Sequence, residues 1–358
     1  MRAGRLTTFV ARYQHQLSIG SFFVGFTIDT ILLKRIDLWA SNALLISYLA
    51  VALAVLLLLH SAASRPPRSQ VLKTSVEWLP FIGQFAFGGM FSGFLIFYSQ
   101  SGTIAGSWPF LALIIVLIVS NEFLRSYQSR LTYQATLLFF CVYSFSIYAL
   151  PIFLGSMGDQ VFELSGIAAL VVFCGIYLIL WCIDRRRLYA SRMSIAVAVL
   201  GVYALITTLY HTNFLPPIPL SLKAVGVYHD LARTGGVYVA AAEEQMPWQS
   251  LLGARMHVVP GASLYAFSSV FAPTTLTTDI VHRWQRKEDG AWVTFAAIPF
   301  GIRGGRDGGY RGYTEVPIRE AGEWRVLVET TRGQRIGSYA FRVVFITSPV
   351  STVSRILR

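Results

Sequence analysis

From Leu44 to Leu59 the chain carries no charge, and only Ser47 and Tyr48 interrupt a run of Leu, Ala, Val and Ile. A helix rises 1.5 Å per residue, so about 20 such residues cross a hydrocarbon core about 30 Å thick. Backbone in lipid has no water to bond, which leaves the helix as the fold for an isolated apolar run of this length. Further runs of this kind lie near 17–33, 78–99, 104–121, 132–153, 163–183 and 193–211, beside the one at 40–60. The sequence therefore predicts an α-helical transmembrane bundle of about seven spans over residues 1–211. The first run is short and carries Asp29. The basic start, Met1 to Arg5, leads into it without a small-residue cleavage site, which predicts an uncleaved helix.

Charge sets the expected orientation. With the N-terminus inside, the inner segments carry Arg2, Arg5 and Arg12, then Arg65, Arg68 and Lys73, then Arg125 and Arg130, then Arg185, Arg186, Arg187 and Arg192. The outer connections carry only Lys34 and Arg35. A bias this large predicts a cytoplasmic N-terminus and, after seven crossings, a C-terminal domain outside the cytoplasm. Trp39, Trp78, Trp108 and Trp181 fall at or near predicted span ends, where an indole keeps its body in lipid and its N–H among headgroups. In the third run, Gly89 and Gly93 form a small-xxx-small pair suited to close helix packing.

Charged residues are enriched after residue 211, although they make up only 13% of the whole chain. The net charge of +12 would suit nucleic acid, but many of the basic residues sit in short loops where topology accounts for them. Nucleic acid is therefore not an expected partner. Cys141, Cys174 and Cys182 all lie in apolar runs, so the polar part is no disulfide framework.

Pro216, Pro217 and Pro219 end the last helix and predict a stiff, extended linker over 212–221. Beyond it the pattern changes to period two. Trp324, Val326 and Val328 share one face, as do Tyr339, Phe341, Val343 and Phe345, with a turn around Gly333 between them. Further strands are expected at 223–229, 236–241, 262–271, 277–287, 291–300 and 312–319. About eight short strands without α/β alternation predict an all-β, sandwich-like domain over 222–346. A short helical insertion is expected at 243–255, and a flexible tail over 347–358.

His282, Trp284, Tyr310-Arg311-Gly312, Gly322-Glu323-Trp324, Gly333 and Phe341-Arg342-Val343 together resemble the bacterial module known as domain of unknown function 2914. The linker, Pro216 to Leu222, also resembles members that carry this module behind several membrane spans. The resemblance implies a bacterial envelope protein of the cytoplasmic membrane with an extracytoplasmic module. It supplies no catalytic residue.

The segment 301–312 places Arg303, Arg306 and Arg311 among six glycines. Guanidinium forks beside exposed backbone N–H groups suit an anion such as a lipid phosphate or a cell-wall carboxylate. The competing reading is a mobile loop whose arginines are solvated or paired with Asp307 and Glu315. His282 and Trp284 share a strand face, either as part of a binding surface or as an inward pair with the imidazole hydrogen-bonded. Asp29 is the acidic residue well inside a span, and such carboxylates mark ion or proton paths. Snorkelling, or pairing with Lys34 and Arg35, is the simpler account. His229, His257 and His282 lack metal-ligand spacing, and no cofactor motif is visible. The adjacent Glu243 and Glu244 read as solvated. Three functions compete. One is a binding or envelope-organising protein that presents its β-domain to lipid, glycan or protein. The others are a transporter or channel with an accessory domain, and a membrane enzyme acting on lipid-linked substrates.

Overall fold

The computed structural model describes residues 26–33, 38–123, 130–235, 237–243, 254–273 and 276–357. They belong to two compact units. The first contains the helices: α1 (Trp39–Ser64), α2 (Gln70–Gln100), α3 (Ile104–Phe123), α4 (Leu131–Leu154), α5 (Asp159–Ile183) and α6 (Arg185–His211). Each of these six described helices is long and apolar enough to cross a membrane. Residues 26–32 are also helical, while the remainder of the expected first span lies outside the described residues.

The helix ends follow local chemistry. Arg65 closes α1 just before Pro66 and Pro67, which cannot continue it. Asp184 separates α5 from α6, and its carboxylate accepts the Arg187 N–H at 3.1 Å, an N-cap that satisfies one of the four orphan donors. In the packing, α4 is central: 72% of its apolar stretch is buried, against 28% in α1, α3, α5 and α6. The Gly89–Gly93 pair works as its spacing suggests. A Cβ on Gly89 would lie 2.6 Å from the Tyr48 ring, and one on Gly93 would lie 2.6 Å from Leu45, so α1 approaches α2 only because both side chains are missing. Trp39, Trp78 and Trp108 are all exposed.

The second unit runs from Asn213 onward and also takes in Gln100–Ser107 and Pro151–Met157. Its strands are β1 (Ser221–Tyr228), β2 (Asp230–Thr234), β3 (Val237–Glu243), β4 (Ala254–Val258), β5 (Ser263–Phe271), β6 (Thr277–Glu288), β7 (Ala291–Arg303), β8 (Tyr310–Pro317), β9 (Gly322–Thr330), β10 (Arg335–Phe345) and β11 (Thr352–Leu357). They form three sheets, with orders β1-β5-β8, β4-β10-β9-β6-β7 and β11-β3-β2. Strand alternation sorts the side chains between layers. Leu264 and Ala266 of β5 pack with Trp284, Trp324, Val326 and Phe341 of the five-stranded sheet. Phe267, on the opposite face of β5, packs with Leu231, Tyr238 and Ala240 of the third sheet. The β-domain is thus a sandwich with an additional small sheet on its outer face.

Two tight turns set the register of the long strands. Asp289 and Gly290 both have positive φ and join β6 to β7 as a two-residue hairpin, the form that Asp-Gly favours. Gly333, at φ 86°, turns β9 into β10, and its N–H bonds to the Thr330 carbonyl at 2.8 Å.

Several expectations are corrected. The linker is not a free extended spacer: Leu215, Ile218 and Leu220 are buried, and the Leu215 carbonyl accepts a bond from the Gln334 side chain. The tail expected to be flexible contains β11, which pairs antiparallel with β3 from Thr352↔Glu243 to Leu357↔Tyr238. It is an exposed edge strand, held by its backbone bonds to β3 rather than by a buried face. The expected helical insertion at 243–255 falls mostly outside the described residues; its ends belong to β3 and β4.

Candidate functional site

The sequence marks β6 and the turn after β7, and the structure gives the two places different roles. In β6, Ile280, His282 and Trp284 point inward while Arg283 points out and pairs with Glu329 at 2.8 Å. His282 and Trp284 are both 0% exposed. The His282 ring bonds to Ser268 at 2.7 Å through Nε2 and to Thr314 at 3.0 Å through Nδ1. Trp284 Nε1–H donates to the same Thr314 hydroxyl at 3.1 Å. Every polar atom of this pair is satisfied within the sandwich, as buried polar groups require. Burial pushes the His282 pKa down to about 3, so the ring is neutral. These two residues were candidates for a binding surface; they form a structural network instead, because the face of β6 that carries them is covered by β1, β5 and β8.

The arginines lie at the β7–β8 connection. Arg303 ends β7 and is exposed, Arg306 is exposed in the turn, and Arg311 is half-buried in β8. The turn is pinned rather than loose. Gly304 N–H bonds to the Leu276 carbonyl at 2.9 Å, Gly305 N–H to the Ala272 carbonyl at 3.2 Å, and Gly309 N–H to the Arg306 carbonyl at 2.9 Å. The Ser269 hydroxyl donates to the Gly308 carbonyl. A Cβ on Gly304 would overlap the Pro273 carbonyl, so only glycine permits this approach. Arg306 lies over the Tyr310 ring at 5.9 Å, and the Arg311 carbonyl accepts from Tyr238 at 3.3 Å. The glycines therefore hold the turn against its neighbours, and the arginines decorate a fixed edge of the sandwich.

Asp29 is 4% exposed and accepts a 3.2 Å hydrogen bond from the Tyr48 hydroxyl of α1. It faces the helical unit rather than its surface, as a carboxylate in a span must when it has a partner there. Lys34 and Arg35, its expected partners, lie outside the described residues.

A further cluster emerges only from the fold. Glu243, at the end of β3, accepts from His229 Nε2 at 2.7 Å, from His257 Nδ1 at 2.8 Å and from the His257 backbone N–H at 2.6 Å. A carboxylate is an acceptor only, so each facing ring nitrogen carries the proton. Burial alone would raise the Glu243 pKa, but the bonds from both imidazoles and the backbone outweigh it and hold the carboxyl below its usual range. The expectation of a solvated Glu243 is corrected accordingly; Glu244 lies outside the described residues. Fourteen positions separate Glu243 from each histidine, so no spacing rule would have joined them. No group of three or more His, Cys, Asp and Glu residues among the described residues is arranged to hold a metal.

The class of protein is set by these features: a helical N-terminal region with six described helices long and apolar enough for a membrane, followed by a β-rich C-terminal domain. Within that domain, residues 277–343 match the family described as Protein of unknown function (DUF2914). The match runs from β6 into β10 and includes the buried His282–Trp284 pair and all three arginines of the turn. No curated protein matches the chain. Among solved structures, β-glucosidase from Listeria innocua in complex with gluconolactone is 12% identical, with 30% of this chain and 16% of that chain covered at a TM-score of 0.19. The same enzyme in complex with glucose gives 10%, 35%, 16% and 0.20. Pseudomonas fluorescens alkylpurine DNA glycosylase AlkC, bound to DNA containing an abasic site analog, is 12% identical, covering 85% of this chain and 98% of that chain at 0.21. The chain spans 16% of the glucosidase's length, and scores at this level define no shared fold.

Proposed function

We propose that this protein is a multi-pass protein of a bacterial cytoplasmic membrane that presents its β-domain outside the cytoplasm, where the β7–β8 turn binds an anionic envelope component. The observation that carries the binding reading is the pinned turn. A guanidinium on a backbone held by several hydrogen bonds loses less freedom on meeting an anion than one on a mobile loop, so less of the interaction is spent on ordering. The anions in reach of such a site are lipid phosphates and cell-wall carboxylates, both suited to a guanidinium fork. The orientation rests on the loop arginines and on one supporting feature of the fold. The α2–α3 and α4–α5 connections, with the adjoining helix ends, fall in Gln100–Ser107 and Pro151–Met157, which belong to the same compact unit as the strands. Both are connections that the charge bias assigns to the outer side.

The test is sedimentation of the detergent-solubilised full chain with purified cell-wall sacculi, with glycerol phosphate as competitor. Joint replacement of Arg303, Arg306 and Arg311 by alanine should weaken retention about tenfold or more. Unchanged retention removes the site. A phosphatase fused to the C-terminus should be active, and a fluorescent protein that matures only in the cytoplasm should stay dark there. The opposite pattern overturns the orientation.

A further inference from the structure

An anion at the β7–β8 turn has two sources, lipid phosphate and cell wall, and the packing within the strand-bearing unit favours the first. That compact unit also holds the first turn of α3 and the last turn of α4. In those two turns Ile104 is 75% exposed, Phe153 86% and Leu154 52%. All three belong to helices long and apolar enough to cross a membrane, so lipid is the medium these side chains suit.

Two arginines stand next to these helix ends. The Thr277 N–H bonds at 3.4 Å to the carbonyl of Gly155, the residue after α4, and Thr277 lies opposite Arg303 in the β6–β7 ladder. Neighbouring strands are about 4.8 Å apart, which puts the Arg303 backbone roughly 8–10 Å from the end of α4. Met157 packs on the cluster that contains Ala272, Leu276 and Ile302. The same stretch pins the turn, since the Gly304 and Gly305 N–H groups bond to the Leu276 and Ala272 carbonyls. At the other connection, a Cβ on Gly106 would lie 3.6 Å from that of Arg335, and one on Gly102 would lie 3.5 Å from the Arg335 carbonyl. Arg303 is exposed, and the Arg335 side chain is 40% exposed. Glu329, 3.8 Å from Arg335, is already paired with Arg283 at 2.8 Å, so one carboxylate serves two guanidiniums.

We propose that Arg303 and Arg335 each bind the phosphate of a lipid around these helix ends. The anion met by the β7–β8 turn, which rests on the binding reading above, is then the headgroup layer of the protein's own bilayer. That layer is about 5–8 Å deep on each side of the hydrocarbon, and a guanidinium on its flexible stem reaches into it from the adjoining β-structure. The exposed apolar residues enter the acyl region while the arginines stay at phosphate depth, where the guanidinium fork matches the phosphodiester oxygens.

The test is labelling of arginine with phenylglyoxal, read by peptide mass spectrometry, on the full chain in nanodiscs. One set of discs contains phosphatidylglycerol and the other an uncharged, phosphate-free glucosyl diacylglycerol. Arg303 and Arg335 should react about fivefold or more slowly in phosphatidylglycerol, while Arg319, beyond the end of β8 away from the turn, should react alike in both. Soluble glycerol phosphate at the same phosphate concentration should not protect either arginine in the glycolipid discs. Equal rates for Arg303 and Arg335 in the two lipids overturn the proposal, and protection of one alone removes the other from the site. Soluble glycerol phosphate protecting as well as the lipid overturns the lipid source. Purified sacculi added to the glycolipid discs separate the two failures. Protection by sacculi but not by phosphatidylglycerol leaves anion binding at the turn standing without its lipid ligand, whereas protection by neither removes both.

Discussion

Acid should loosen the β-domain through His282, and the size of the effect follows from its surroundings. The ring is 0% exposed, bonded to Ser268 and Thr314 and edge-on to Phe300 at 4.7 Å. Burial holds its pKa near 3, against 6.5 in the unfolded chain. Between those values the unfolded chain binds a proton that the folded chain refuses. The contribution of the neutral ring is therefore complete above pH 6.5 and falls by about 1.4 kcal/mol per unit as pH drops, until the folded ring itself titrates near 3. At pH 5 the loss is about 2 kcal/mol, a large fraction of what holds a domain together. The readout is hydrogen exchange at the β6 and β9 amides of the full chain in detergent, corrected for the intrinsic pH dependence of exchange. Opening free energies should fall from pH 7 to pH 5 in the unaltered chain. In His282→Gln, which can still reach both hydroxyls but does not titrate, they should fall by about 2 kcal/mol less. Equal slopes in the two proteins would refute the argument, whatever the absolute cost of the substitution.

Trp284→Ala should destabilise the β-domain by about 3–5 kcal/mol in denaturant unfolding, since it empties the centre of the sandwich and removes the donor to Thr314. Glu243→Gln should cost about 1–3 kcal/mol near neutral pH, where the carboxylate accepts three hydrogen bonds. Because the folded carboxyl is held below its usual range, that difference should shrink as pH falls through the folded value and the native group also becomes protonated. Gly93→Leu should lower the melting midpoint of the detergent-solubilised chain through a collision with Leu45, at a cost of about 1–3 kcal/mol, whereas Gly175→Ala, with open space around it, should not. Truncation after residue 346 removes β11, exposes the edge of β3 and should speed proteolytic nicking around 230–243.

Much of this architecture is legible in the chain itself, because the signals are local. A run such as Leu44–Leu59 needs no distant partner to become a helix in lipid, and its ends are written in Pro66 and Pro67 or in the Asp184 cap. The alternation in β6, β9 and β10 likewise shows which side chains share a face, and His282 and Trp284 do share one. Alternation does not say whether that face meets water. The five-stranded sheet is covered by β1, β5 and β8 on the side where the pair points, and this alone makes the pair structural. The exposed edge strands β2 and β11 have too few buried positions to show a pattern; their pairing with β3 makes them strands.

The sequence alone determined which segments are apolar enough for a bilayer, where the chain changes to β-structure, and where arginine and glycine gather, since each depends on residues close together along the chain. The tertiary structure decided that His282 is sealed in the core and that Glu243 draws in two distant histidines. Burial and hydrogen-bond partnership depend on what packs from elsewhere in the chain, and spacing along one segment carries no record of that.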